Sequence, residues 1–171
     1  MQGPAQVAIV AMPETTASVV YGMYDLFMSA GRDWGQIVDG RPGPSLLRPV
    51  VVSRLTGSFR ADNGVLIEPQ APLDVALDFD YICVPELAVP PGEPIDGRFD
   101  VETAWLRTCH ERGATIATAC SGAILLAEAG LLDGWEATTH WAYCDVLQQR
   151  HPRVRVRRNA ALVATGEGQR L

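Results

Sequence analysis

The residue of this sequence best placed for chemistry is Cys120, in the stretch ATIATACSGAILLAEAG between an apolar run and a helix-like run. The residues beside it are small, namely Ala119, Ser121 and Gly122. A strand that ends and a helix that begins within about one residue must bend sharply, and such a bend projects its side chain from the carboxyl edge of a sheet. The pattern therefore predicts a nucleophile elbow with Cys120 at its tip.

The surroundings that such a bend implies favour a reactive thiol. The positive end of the following helix favours the thiolate form of a cysteine. The backbone N–H groups of Ser121 and Gly122 are placed to hold an anion or a developing oxyanion. The remaining cysteines are predicted to be buried and unreactive, as free cysteine commonly is; they are Cys83, Cys109 and Cys144.

A nucleophilic cysteine needs an acid or base within hydrogen-bond reach. His140 is the first candidate, and the alternative is that it only caps the helix that follows it. His110 is expected on a solvated helix surface, and His151 at a helix end. A metal site from Cys120, His140 and Cys144 is a weak alternative, because only the last two have i, i+4 spacing. We expect no metal and no other cofactor.

The elements that must position these residues alternate along the chain. Short runs that are apolar on both faces are typical of strands covered on both sides, as in a parallel sheet; they lie at 6–12, 48–53, 81–87 and 114–120. Helices are predicted between and after them, at 15–31, 100–113, 121–129 and 141–150. The alternation predicts one three-layer α/β domain with a mostly parallel sheet.

Three other segments depart from this alternation. The Asn63-Gly64 pair predicts a hairpin turn inside a small antiparallel excursion over 59–74. Segments rich in Gly, Pro and Asp are predicted as loops, at 32–47 and 88–98. The last stretch, 161–171, is predicted to form one more strand and a turn. An uncovered apolar strand at a sheet edge promotes aggregation, so we expect the single domain over 1–171 to be incomplete at its C-terminus.

Composition limits the classes of function. The chain has 171 residues, 47% hydrophobic and 20% charged, which fits one globular domain. A net charge of −6 excludes a nucleic-acid-binding surface of the usual basic kind. No apolar stretch approaches the ~20 residues of a membrane helix, so no membrane partner is expected. Four widely spaced cysteines without a CxxC motif indicate free thiols and a cytoplasmic location.

The stretch ATACSGAILLAEAGLLDGWEATTHW resembles the signature of the ThiJ/PfpI superfamily. Within it, the sequence is most similar to the branch that holds isonitrile hydratases and the N-terminal domains of AraC-type transcription regulators. The resemblance covers essentially the whole chain. It implies a flavodoxin-like, class I glutamine amidotransferase-like fold, a reactive Cys120 and a histidine near it, His140. Peptidase-like members carry a histidine directly after the cysteine, and Ser121 stands there instead.

The resemblance also shows where this chain departs from the family. The loop VPEL places Glu86 and Leu87 where glycines are usual, with the N–H of Leu87 expected near the sulfur. Active members carry an acid on the first helix, and the matching position here is Val19. Glu86 is a candidate to fill that acidic role from the opposite loop. Glu14 is a weaker candidate about one turn earlier, and Asp25 is expected to face away.

Two functions remain open at this point. The first is a small-molecule-sensing domain of an AraC-type regulator, which contacts DNA only through a downstream domain absent from this chain. In that case Cys120 lines a ligand pocket or responds to oxidants and electrophiles. The second is a cysteine-dependent isonitrile hydratase or small-molecule hydrolase, with Cys120 as nucleophile and the N–H groups of Leu87 and Ser121 stabilising charge. The resemblance implies a homodimer in either case.

Overall fold

The computed structural model describes residues 3–73 and 78–171. Its central sheet contains five strands, β1 (Ala5–Val10), β2 (Leu47–Ser53), β5 (Ala71–Pro72), β6 (Tyr81–Val84) and β7 (Thr115–Thr118). They pair in parallel in the order β5-β2-β1-β6-β7. From β1 the chain adds β2 and β5 on one side of the sheet, and it then adds β6 and β7 on the other side. The carboxyl edge between β1 and β6 is therefore the topological switch point, where such sheets place their sites.

Helices cover both faces of this sheet. They are α1 (Ala17–Ser29), α2 (Arg32–Asp39), α3 (Asp100–Glu111), α4 (Ala123–Glu128) and α5 (Cys144–Arg150). Val7 and Ile9 of β1 pack with Val20 of α1 on one face, while Ala8 and Val10 belong to the core on the α3 and α4 face. The flavodoxin-like three-layer prediction is confirmed, because strand residues of both parities are buried.

Two small strand pairs flank the main sheet. β3 (Phe59–Arg60) and β4 (Leu66–Ile67) form an antiparallel hairpin, with Gly64 in its turn at φ +81°. The hairpin predicted around Asn63-Gly64 is therefore confirmed, although the end of its predicted range, Asp74, lies outside the described residues. β8 (Glu136–Ala137) and β9 (Arg155–Val156) pair in parallel beyond α4.

The loop predicted over 32–47 is wrong in its first half, where the chain forms α2. This helix is bracketed by glycines with left-handed backbone, Gly31 at φ +75° and Gly40 at φ +65°. A Cβ atom at Gly35 would lie 2.8 Å from the backbone nitrogen of Gly43, so the helix lies directly on the segment that follows it. Glycine content, which suggested a loop, instead allows this close packing.

The strand predicted over 161–171 is also wrong, because the segment is irregular up to a 3₁₀ turn at Glu167–Gln169. Thr165 and Leu171 exchange backbone hydrogen bonds of 2.8 and 3.1 Å, which folds the segment back on itself. The N–H of Ile116 in β7 donates to the carbonyl of Arg170 at 2.9 Å. The segment therefore covers part of the β7 edge as a loop. Within the described ranges, every helix is too short or too polar to cross a bilayer.

Candidate functional site

Cys120 lies at a sharp bend where β7 ends and a helical segment begins. Its φ is +54°, a left-handed value that side-chain-bearing residues rarely adopt. A 3₁₀ turn, Cys120–Gly122, leads directly into α4. The residue is exposed, whereas Ser121 and Gly122 are buried. The elbow geometry expected from the sequence is therefore present, with the side chain of Cys120 accessible from solvent.

Gly122 lets the elbow lie against the end of β6. A Cβ atom there would stand 2.4 Å from the carbonyl oxygen of Pro85 and 2.7 Å from that of Val84. Both neighbours are backbone atoms, so neither can move aside cheaply. The N–H of Ala119 donates to the same Val84 carbonyl at 2.9 Å. The lack of a side chain at Gly122 is thus required by the close packing of two chain segments.

Ser121 holds the loop that follows β6. Its hydroxyl accepts from the N–H of Leu87 at 2.8 Å and donates to the carbonyl of Leu87 at 2.9 Å. The N–H of Gly122 donates to the carbonyl of Ala119 at 2.9 Å. This corrects the expectation that the Leu87 and Gly122 N–H groups are free to stabilise charge beside the sulfur. The N–H of Ser121 is the candidate that remains.

Cys120 lines a cavity of about 400 Å³ on the outer side of β7. This volume lies within the usual range for small-molecule sites. The walls are mainly apolar, and several threonines and His140 supply polar groups; the lining comes from 115–118, Ala123, Leu126, Leu132, 136–140, 160–165 and Leu171. Such a cavity suits a small, largely apolar molecule that carries a few hydrogen-bonding groups.

His140 lines the same cavity and caps the helical turn that follows it. Its Nδ1 accepts from the N–H of Ala142 at 3.3 Å. The neutral ring that accepts at Nδ1 carries its proton on Nε2, so it presents a donor there. Such a ring can donate to an anion or a ligand, but it is not a ready base for a thiol. His140 therefore caps this turn, as one of its two predicted roles requires, and it also lines the cavity, while its role as an acid or base partner of Cys120 stays a prediction.

Two hydroxyl groups beside Cys120 were not found by sequence reasoning. The Thr139 hydroxyl donates to the carbonyl of Cys120 at 2.9 Å, which ties the elbow to the segment before His140. The Tyr143 hydroxyl donates to the carbonyl of Val89 at 2.7 Å. Burial raises the pKa of Tyr143, and the nearby Cys120 raises it further. No pattern singles out Tyr143 in the sequence, since it lies two residues beyond the family-like stretch that ends at Trp141.

The Glu86 carboxylate is hydrogen-bonded to the start of α1. One oxygen of its carboxylate accepts from the N–H of Thr16 at 3.1 Å and also from the Thr16 hydroxyl. Thr16 is the N-cap residue of α1, so Glu86 caps that helix from another part of the chain. One oxygen of the carboxylate expected to serve as an acid is thus engaged with α1, while the other, Oε2, is buried with no hydrogen-bond partner among the described residues.

The other acidic groups at the switch point are also paired. Arg98 binds Glu14 through its Nη2 at 2.9 Å, and Arg54 lies 2.9 Å from an oxygen of Glu102. The pKa of the Glu102 carboxyl is raised, mainly by burial and also by the charge of Glu14. The Arg54 charge lowers it, but by less. These two ion pairs engage one oxygen each of Glu14 and Glu102, and the second oxygen of each carboxylate is buried with no hydrogen-bond partner among the described residues.

One carboxylate that the sequence analysis missed does line the cavity beside Cys120. Glu136 of β8 contributes to the wall, and it accepts from Arg157 at 2.8 Å. The register of β8 with β9 places these two residues near each other. The Arg157 guanidinium therefore holds this carboxylate in an ion pair at the mouth of the site.

The remaining cysteines and histidines lie away from the cavity wall. Cys83, Cys109 and Cys144 are buried, and burial raises the pKa of Cys83 to about 11. His151 contacts Glu128 at 3.1 Å, and His110 is half-buried at the end of α3. In the part of the chain that the structure describes, three or more metal-ligating side chains come together nowhere, so the Cys120, His140 and Cys144 alternative has no geometric support.

Curated relatives include regulators and an enzyme. The chain is 33% identical over 111 residues to the HTH-type transcriptional regulator CdhR of Pseudomonas aeruginosa. That match covers 65% of this chain and 32% of the regulator, so the chain spans about a third of that protein's length. It is 33% identical over 88 residues to the isonitrile hydratase of Pseudomonas putida, a match that covers 51% of this chain and 37% of the enzyme.

Solved structures of low sequence identity share the fold. An AraC family transcriptional regulator from Pseudomonas putida superimposes with a TM-score of 0.71 at 16% identity, over 95% of this chain and 80% of that one. A ThiJ/PfpI family protein from Pseudomonas syringae gives 0.71 at 23% identity, over 95% and 60%. The sequence profile of the DJ-1/PfpI family matches residues 47–164. These residues run from β2 through the elbow to the cavity wall, and we conclude that the chain belongs to the DJ-1/PfpI family.

Proposed function

We propose that the chain is the small-molecule-sensing domain of an AraC-type transcription regulator, with its ligand in the cavity beside Cys120. A homodimer and a cytoplasmic location are part of this proposal, and DNA contact is assigned to a further domain. The regulators among its relatives support the sensing role, since they carry a domain of this family.

One observation carries the choice of a sensor over an enzyme. Cys120 is exposed at a cavity of about 400 Å³, yet the acids proposed as its partners are bound elsewhere. Glu86 caps α1 through Thr16, and Glu14 pairs with Arg98. Within the cavity wall, His140 presents a donor and Glu136 is ion-paired with Arg157, so neither is a free base that could activate Cys120 for turnover, whereas a ligand pocket needs no base.

The cavity defines the class of ligand. Its apolar walls favour a compact molecule with a hydrocarbon portion, and the polar groups of Thr118, Thr139 and His140 favour hydrogen-bonding atoms at the end near Cys120. An electrophilic ligand would alkylate the exposed thiol, which is the alternative way for this site to sense a compound.

The direct test of this proposal is the coding sequence that follows Leu171. We expect roughly 100 or more further residues with helix-turn-helix patterns, as in the two-domain regulators that the resemblance implies. A short strand and helix followed by a stop codon would contradict the sensor and favour a single-domain enzyme.

A second candidate function is a cysteine-dependent isonitrile hydratase, favoured by the positive φ and exposure of Cys120. Here the Cys120 thiol adds to the isonitrile carbon, which also takes the thiol proton, to give a thioimidate. Water then adds to the same carbon and the thiol leaves, which releases an N-substituted formamide, while the Ser121 N–H and the Nε2–H of His140 stabilise the developing charge. The test is hydration of a small aliphatic isonitrile by the wild type and by Cys120→Ser. Turnover that Cys120→Ser abolishes would overturn the sensor, whereas equal background rates in both would support it.

A further inference from the structure

The strand β7 borders the cavity beside Cys120 with its edge. In the described part of the sheet it is an end strand, and it pairs there with β6. Four consecutive residues, 115–118, line the cavity. Successive side chains of a strand point to opposite faces, so a cavity on one face would be lined by alternate residues. The cavity therefore runs along the edge of β7, where the backbone is a polar surface.

Thr118 turns both of its backbone groups toward this edge. The N–H groups of Thr115 and Ala119 donate toward β6, each to a carbonyl at 2.9 Å. In a parallel sheet the N–H and C=O of one residue point to the same side, and those of the next residue point to the other side. Ile116 and Thr118 thus face away from β6. Among residues 3–73 and 78–171, neither backbone group of Thr118 has a backbone partner.

The edge of β7 is open only at its Cys120 end. The N–H of Ile116 donates to the carbonyl of Arg170 at 2.9 Å, and Leu171 forms part of the cavity wall. A further strand cannot add along the whole of β7 while this segment lies on it. The space beside Thr118 therefore suits one small planar group that bonds to a strand edge, and it does not suit an extended peptide.

The other walls of the cavity are largely apolar. Ala123 and Leu126 of α4 contribute, as do Leu132 after that helix and Val163 on the later segment. A molecule that fits these walls has apolar faces and keeps its hydrogen-bonding atoms at one edge. A nitrogen heteroaromatic ring has this distribution, because its faces are apolar while its ring N–H and ring nitrogen lie in the plane.

We propose that the cavity binds a flat heteroaromatic compound through the backbone of Thr118, by an N–H donor next to an acceptor on one edge of the ring. The acceptor takes the N–H of Thr118, and the donor binds its carbonyl. This inference rests on the proposed function, since it names the ligand class of the sensing cavity. Recognition by backbone groups makes the bond pair independent of the side chain at position 118.

The test is an NMR titration of the ¹⁵N-labelled 171-residue chain with three compounds of nearly equal shape. 7-Azaindole carries a ring N–H beside a ring nitrogen, indole lacks the acceptor, and 1-methyl-7-azaindole lacks the donor. We expect 7-azaindole to bind with a dissociation constant on the order of 1 mM, and each of the others to bind about 10-fold more weakly. The amide proton resonance of Thr118 should move downfield when 7-azaindole binds.

A matched pair of variants separates the backbone of Thr118 from its side chain. Thr118→Val removes the hydroxyl and keeps the N–H, so we expect the affinity for 7-azaindole to fall less than about 3-fold. Thr118→Pro also removes the N–H, and we expect a fall of about 10-fold or more. An edge strand tolerates proline where its N–H has no partner, and circular dichroism compares the folds of the two variants.

Two results would overturn this inference. One is equal affinity for the three compounds, and the other is a Thr118 resonance that does not move with 7-azaindole at concentrations on the order of 10 mM. Both are read on the wild type, so they decide the question even where Thr118→Pro does not fold. The sensor proposal fails on other results, namely isonitrile turnover that requires Cys120 or a coding sequence without helix-turn-helix patterns after Leu171.

Discussion

The carboxyl edge of the sheet is open at one end and closed at the other. Beyond β7, Cys120 is exposed beside a cavity of about 400 Å³. At the switch point between β1 and β6, Glu14 and Glu102 are paired with Arg98 and Arg54. The position where an open α/β sheet ordinarily holds its site thus carries two ion pairs, and the cavity that Cys120 lines is one strand away.

The two regions differ in how their carboxylates are engaged, and Glu86 links them. Glu86 stands between the two regions, and its carboxylate turns toward Thr16 at the start of α1. The next residue, Leu87, is held by Ser121, which directly follows the cysteine. The loop after β6 therefore links the elbow, through Leu87, to the start of α1, through Glu86.

The largest expected effect is the difference in reactivity between the exposed Cys120 and the three buried cysteines. We expect iodoacetamide to alkylate Cys120 in the native protein on the order of 1,000-fold faster than the buried three, which react only after local opening. Mass spectrometry of peptides after timed quenching measures this ratio. Unfolding in urea is the control and should make all four react alike. Protection of Cys120 in the native state would remove the distinction between an open and a closed end.

The closest contact at the open end is tested by Gly122→Ala. Its methyl group would lie 2.4 Å from the Pro85 carbonyl oxygen, so we expect the free energy of unfolding to fall by about 3 kcal/mol or more. Urea denaturation followed by circular dichroism measures the loss. Gly57→Ala is the matched control, since nothing lies within 4 Å of its Cβ position. Similar stabilities for the two variants would show that the elbow is not tightly packed.

The connection between the two regions is tested by Ser121→Ala. The variant loses both hydrogen bonds to Leu87 and leaves a buried N–H without a partner, so we expect a loss of about 2 kcal/mol in the free energy of unfolding. The exposed Ser18→Ala serves as control and should change little. Equal stabilities by urea denaturation would mean that the loop after β6 is held by other contacts.

The closed end is tested by the pH dependence of stability, where we expect the smallest effect. Burial raises the pKa of Glu102 above the ordinary 4.5, so the folded protein holds this proton more tightly than the unfolded chain. The stability gained from this is fully present below about pH 4.5 and is lost as pH rises through the folded-state pKa. Glu102→Gln should flatten the decline measured by urea denaturation at several pH values, and the exposed Glu111→Gln should not. An unchanged slope in Glu102→Gln would contradict the buried cluster.

Two segments of the chain differ from their predicted conformations for the same physical reason. Its glycine content predicts a loop over 32–47, yet Gly31 and Gly40 begin and end a helix, and Gly35 lets that helix pack against the segment that follows it. The stretch 161–171 reads as a strand, yet it folds back through the Thr165 and Leu171 bonds. The conformation of each segment depends on the part of the chain that packs against it. A local sequence pattern does not show which part that will be.

The sequence by itself determined the alternation of strands and helices and the elbow at Cys120, because apolar periodicity and small residues at a bend are local requirements. Only the tertiary structure decided where polar groups point. It turned Glu86 toward Thr16, set Ser121 on Leu87, and brought Thr139 to the carbonyl of Cys120. Hydrogen bonds between residues many positions apart depend on how strands and loops pack, and no local pattern in the chain encodes that packing.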